Sequence, residues 1–212
     1  MARDPVTTDD LIISGAAAHT ALAQITASGW SDRPPNMEWT RLVTVTHICS
    51  ALLFYATQLA VGSGKHEETI RPDESTMTGE KLPELLISQC KLLAAVAKGS
   101  PPNTRGFHPV GQPDAEGFLA MGCTEILLHT WDAMAGMGIE FTADDGVVDR
   151  VLQRLLPWAP TETPRWQTFL FATGRGELPG YESPGDRWMW HNDPLEEWDG
   201  HEKRSGHWVG RV

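Results

Sequence analysis

Glu125, His129 and Asp132 share one narrow stripe of a helix-forming run, and His47 stands alone in another. Within 114–138, Glu125 and His129 are four residues apart. On a helix that spacing stacks them one turn apart on the same face. At about 100° per residue, Asp132 joins them inside an arc of roughly 60°. Imidazole nitrogens and carboxylate oxygens are the donors of zinc-type sites. The catalytic versions pair two histidines with a carboxylate and leave a position open for water or substrate. His47 would supply the second imidazole. A Glu and a His four apart also recur by accident. The competing reading makes the acidic stripe a solvated strip and His47 a hydrogen-bonded core residue.

The elements that must position these groups follow from periodicity. Apolar spacing predicts helices near 9–28, 39–61, 79–98 and 114–138, with Thr8 or Asp9 capping the first and Pro83 in the first turn of the third. The second carries no charge between Arg41 and Lys65, and the fourth is apolar around most of its circumference, so both belong in a core. Gly136 and Gly138 close the fourth. Shorter helices are predicted at 146–156, capped by Thr142 or Asp144, and at 163–175. His19 reads as a partly buried core residue and His66 as solvated, while His108 sits in the Pro/Gly-rich 99–113 loop. After Gly176 the chain turns to Gly, Pro and Trp. The alternation in 187–191 suits a short strand or an extended packing arm, and the 181–198 aromatics should pack on the bundle rather than expose a large apolar patch. Residues 201–212 read as a loosely docked tail. The fold class is all-α: a bundle at 1–160, then a C-terminal helix and irregular Trp-rich arm at 161–212.

The chain has 212 residues and a formal net charge of −11. That balance argues against nucleic acid and anionic membranes as partners. The stretch closest to a membrane span, 42–61, is interrupted by Thr44, Thr46, His47, Ser50, Thr57 and Gln58. The N-terminus lacks the apolar segment of a signal peptide. Cys49, Cys90 and Cys123 are few and widely spaced, so no disulfide framework is expected, and a cytoplasmic location is the default. They read as small core residues.

Two separated motifs carry a family resemblance. Trp39-Thr40 with His47 eight residues after the Trp, and Glu125-Ile-Leu-Leu-His129-Thr-Trp-Asp132, resemble the DinB-like superfamily, in the branch typified by mycothiol-dependent maleylpyruvate isomerase. The likeness covers roughly 9–156. Phe171-Ala-Thr-Gly-Arg175 and Trp188-Met-Trp-His191 are similar to the tails of actinobacterial members. The resemblance implies a DinB-like four-helix bundle that binds a divalent metal, zinc or nickel, through His47, Glu125 and His129. It further implies a low-molecular-weight thiol cofactor, mycothiol or similar. The chain lacks an obvious second α/β domain, and Val43-Thr-Val-Thr46 has no acidic residue before the histidine. A thiol transferase or an isomerase acting on another small electrophile therefore fits better than maleylpyruvate isomerisation.

A divalent cation would make a bound thiol a thiolate or polarise a carbonyl. Asp132 suits a catalytic supporting role, accepting the second ring proton of a histidine ligand, or is a surface carboxylate. Arg175, ending an apolar helix, is the candidate for a substrate or cofactor carboxylate, or serves as a helix-dipole partner. His191 is a further cofactor-binding candidate or a packing residue. Two other functions remain. Two histidines and a carboxylate also suit iron(II) in a non-haem oxygenase. A degenerate bundle could bind a small molecule without catalysis. The expected partners are the electrophile and the thiol, with the chain a monomer or homodimer.

Overall fold

The computed structural model describes residues 3–35, 37–70 and 76–205. Its elements are α1 (Thr8–Leu22), α2 (Arg41–Val61), α3 (Leu82–Gly99), α4 (Ala115–Met134), α5 (Asp145–Leu155) and α6 (Arg165–Ala172), with short 3₁₀ turns between them and no strand among the described residues. The fold is all-α, as expected.

α1, α2, α4 and α5 each start where a side chain satisfies a free N–H group, and α3 starts without one. For α1 the cap is Thr7, just before the expected Thr8 or Asp9. Asp10 completes a capping box by accepting from the Thr7 amide at 2.8 Å, and its carboxylate also takes the Arg150 guanidinium of α5. Thr40, Asp114 and Asp144 cap α2, α4 and α5, and Pro83 occupies the first turn of α3.

Two ends differ from expectation because tertiary burial overrides periodicity. α1 stops at Leu22, and the chain turns so that Ile25 and Trp30 reach the core. The Trp30 ring lies so close to Gly79 that a Cβ there would come within 2.0 Å of it. α4 stops at Met134, before Gly136 and Gly138, both at positive φ. Its terminal carbonyls are bound by buried Arg41, whose Nε donates to the Ala133 oxygen at 2.8 Å and Nη2 to that of Ala135 at 3.0 Å. The expected 163–175 helix is shorter, Arg165–Ala172.

In the bundle, α1 and α2 each pack against both α3 and α4. α2 is long and apolar enough to cross a membrane by length and composition, but most of that stretch is buried against its neighbours. α4 is covered on nearly every side, so the solvated-strip reading of its acidic stripe fails: Glu125 is 8% exposed and Asp132 4%. His19 is not core. It is half-buried and meets exposed Glu84 of α3 at 2.8 Å. His66 is exposed as expected, with its ring against Phe54 and Phe107.

The chain after α6 is an extended arm rather than a strand, with one isolated bridge, Trp188 to Arg204. It packs on the bundle: the His191 amide donates to the Leu155 carbonyl at 2.8 Å, and Trp190 is 5% exposed. Arg154 of α5 anchors it. This arginine is wholly buried and donates to the carbonyls of His191 and Asn192 and to the Asp114 carboxylate that caps α4. Of the expected loose tail, 206–212 lies outside the described residues.

Candidate metal centre

α2 and α4 cross so that His47 faces Glu125 and His129. One donor atom from each of the three lies within 4.8 Å of the other two. Glu125 Oε2 stands 3.3 Å from Nε2 of His47 and 3.3 Å from Nε2 of His129. The two imidazoles meet edge to face, with centroids 5.0 Å apart.

The other atoms of these side chains are already held. Tyr55, two turns after His47 on the same helix, donates its hydroxyl to Glu125 Oε1 at 3.1 Å. His129 Nδ1 meets Asp132 Oδ2 at 3.0 Å. Asp132 in turn accepts from Arg175 Nη2 at 3.1 Å and Nε at 3.4 Å. Glu125 Oε2 is buried without a hydrogen bond. An anionic oxygen left so would be costly.

These features fit a divalent cation. Donors bound at 2.0–2.2 Å in a tetrahedron lie about 3.3–3.6 Å from one another. The Oε2–Nε2 separations already match, so little rearrangement is needed. With a cation bound, Asp132 would accept the His129 Nδ1 proton and leave the Nε2 lone pair turned to the centre. Electrostatics point the same way. Burial would raise the Glu125 carboxyl, but the facing His129 and His47 rings, each with Nε2 3.3 Å from Oε2, outweigh it and hold it well below the usual carboxylate range. Burial would lower His129, but Asp132 and Glu125 raise it to about 9. The carboxylates thus hold a positive charge where a metal's charge would sit.

The centre forms the floor of a cavity of about 530 Å³, within the range of small-molecule sites. Its walls come from the loop before α2, from α2 and α4, from the loop holding His108, and from the arm.

No protein-family model matches the chain, and no curated protein matches it. Among solved structures it is similar to a crystal structure of a histidine-to-alanine mutant of mycothiol-dependent maleylpyruvate isomerase, at a TM-score of 0.53 and 14% identity, over 68% of this chain and 65% of that one. The fold is DinB-like. The chain spans about 65% of the length of the solved structure it matches.

In this DinB-like bundle the expected site residues divide. His47, Glu125 and His129 converge, and Asp132 stands directly behind His129. Arg175 borders the cavity, but its guanidinium is engaged by Asp132 and by the Thr173 carbonyl at 2.8 Å, and it lies 5.8 Å over the Trp188 ring. His191 is not brought to the cavity. Its ring is 1% exposed and its Nε2 meets the Pro194 carbonyl at 3.1 Å, because the arm turns it inward against α5. The cysteines are buried and free. Burial pushes the thiols of Cys49 and Cys90 up to about 12, and that of Cys123 up as well, so none is a ready nucleophile.

Sequence reasoning missed Tyr55 and His108. Tyr55 follows His47 by eight residues, a same-face spacing that could have revealed it. His108 is 4% exposed and lines the cavity. No local pattern marks it, because its partner Asn192 lies far along the chain.

Proposed function

We propose that this protein is a metal-dependent enzyme that uses a low-molecular-weight thiol, mycothiol or a similar one, in a transfer or isomerisation on a small electrophilic metabolite. The observation that carries it is the convergence of His47, Glu125 and His129, with Glu125 Oε2 lacking a hydrogen bond, on the wall of a cavity of about 530 Å³. The likeness to a mycothiol-dependent isomerase supports the thiol and the reaction type.

His47 Nε2, His129 Nε2 and Glu125 Oε2 would hold the cation, zinc or nickel by donor set. When bound it would supply a Lewis acid that converts a thiol to thiolate at neutral pH. Around it the protein's own groups have separate duties. Tyr55 fixes the Glu125 carboxylate through Oε1, and burial with the nearby Glu125 charge keeps its phenol protonated as a donor. Asp132 orients His129, and Arg175 orients Asp132. The mostly apolar walls lower the local polarity, which strengthens charge interactions inside.

The test is metal analysis of the full-length protein with its His129→Ala variant. Stoichiometric zinc or nickel in the wild type, lost in the variant, is expected. In the wild type, the electrophile should be consumed only with metal and mycothiol both present. Absence of any metal binding after separate additions of zinc, nickel and manganese refutes the reading. Bound iron with oxygen consumption favours an oxygenase instead.

A further inference from the structure

The cavity carries information about the molecule that enters it. Among the described residues Arg175 is the one lysine or arginine on its walls, and its Nε, Nη1 and Nη2 all have protein partners. The carboxylates of Glu125 and Asp186 also line it, and Asp132 lies behind Arg175. These walls are net negative before a divalent cation enters and near neutral afterwards. A carboxylate-bearing substrate would find no unpaired side-chain cation.

The remaining surface is mostly apolar and ring-rich, with Trp39, Phe54, Trp188 and Trp190 around the space. Trp39 lies over His47 at 5.1 Å between centroids, and Trp188 meets Trp190 edge to face at 5.5 Å. Rings in such offset and edge-on geometries favour a further flat ring.

The His108 ring is a polar group on the cavity wall with an unused nitrogen. The His108 ring is enclosed by Phe54, Tyr55 and Trp190, with centroids 6.4, 5.9 and 5.9 Å away. The backbone amide of Val110 points at its Nδ1 at 3.4 Å, and Asn192 Nδ2 lies 3.0 Å from the same atom. A backbone N–H can only donate, so Nδ1 is the acceptor and the proton sits on Nε2. Nε2 has no hydrogen-bond partner among the described residues. Burial also lowers His108 to about 4, so the ring is neutral near pH 7.

We propose that the cavity binds an uncharged aromatic molecule whose carbonyl or hydroxyl oxygen accepts a hydrogen bond from His108 Nε2–H. This assigns His108 as a specificity-determining donor. It deepens the function proposed above, and rests on that reading for the reactive end of the cavity.

The experiment is calorimetric titration of the full-length protein, without added metal, with three probes of one ring system. These are 2-acetylnaphthalene, 2-ethylnaphthalene, which lacks the oxygen, and 2-naphthoate, which carries a charge. The acetyl compound should bind most tightly, ahead of the ethyl compound by roughly three- to tenfold, the value of one hydrogen bond. It should lead naphthoate by more. His108→Phe, which keeps a ring, should erase the acetyl preference and leave ethyl binding within about twofold of wild type, on the same estimate. The proposal is overturned if naphthoate binds as tightly as the ketone, if none binds saturably, or if the variant keeps the preference. Should the variant fail to fold, the wild-type ranking alone decides. Zinc binding is measured on the same preparation. Zinc uptake without probe binding refutes only this proposal, and probe binding without zinc uptake refutes only the metal reading.

Discussion

Arg154→Met tests how the arm is held. Arg154 is wholly buried and joins three elements: it donates to the carbonyls of His191 and Asn192 in the arm, at 3.3 and 3.1 Å, and to the Asp114 cap of α4 at 2.9 Å. Methionine keeps much of the aliphatic volume, so the change removes charge and hydrogen bonds with little cavity. Breaking a buried ion pair from one side costs about 3–5 kcal/mol. Asp114 is partly exposed and keeps its bond to the Gly117 amide, which favours the lower half of that range. For a domain of this size 1 kcal/mol shifts Tm by about 2–4 °C, so a fall of roughly 6–16 °C is expected. Tryptophan fluorescence should also shift to the red before global unfolding, because Trp190 adjoins the released segment. The assay is a thermal melt followed by both far-UV circular dichroism and fluorescence. A Tm within about 2 °C of wild type, less than the shift from 1 kcal/mol, would refute the claim that Arg154 anchors the arm.

Four further outcomes follow. Added zinc should raise the wild-type Tm and leave that of His129→Ala unchanged, read by differential scanning fluorimetry with and without the metal. His108 titrates at about 4 when folded and near 6.5 when unfolded, so its neutral form stabilises the fold fully above pH 6.5. That contribution, about 3 kcal/mol, is lost as pH falls from 6.5 to about 4, and urea midpoints at pH 7 and 4.5 should converge more in His108→Gln than in wild type. Gly79→Ala drives a methyl into the Trp30 ring and should cost about 1–3 kcal/mol by urea denaturation. Deleting 181–212 removes Trp190 and the two carbonyl acceptors of Arg154, and should lower Tm and promote aggregation in light scattering.

What was legible in the sequence was local. Helix starts could be read because the side chain that satisfies the first amides lies within three residues of them, as Asp114 and Asp144 do. His47, Glu125 and His129 were legible because apolar helices with one polar stripe leave few places for that stripe to face. Distant pairings were hidden. Arg154 looks like a surface residue of an amphipathic helix, and nothing beside it announces Asp114 or the arm. Tyr55 reads as core until Glu125 is placed beside it, and His108 depends on Asn192 for its orientation. The end of α1 was misplaced because Trp30 is drawn to Gly79, a contact between segments far apart in sequence.

The donors that would hold a cation come from α2 and α4, whereas Trp188, Met189 and Trp190 come from the chain after α6. The candidate donors and the arm's share of the cavity wall are thus written in separate stretches of the chain. Substitutions at 186–190 can change what is admitted while the donors stay in register, so a library confined to those five codons should yield proteins that retain metal and differ in the molecules they accept.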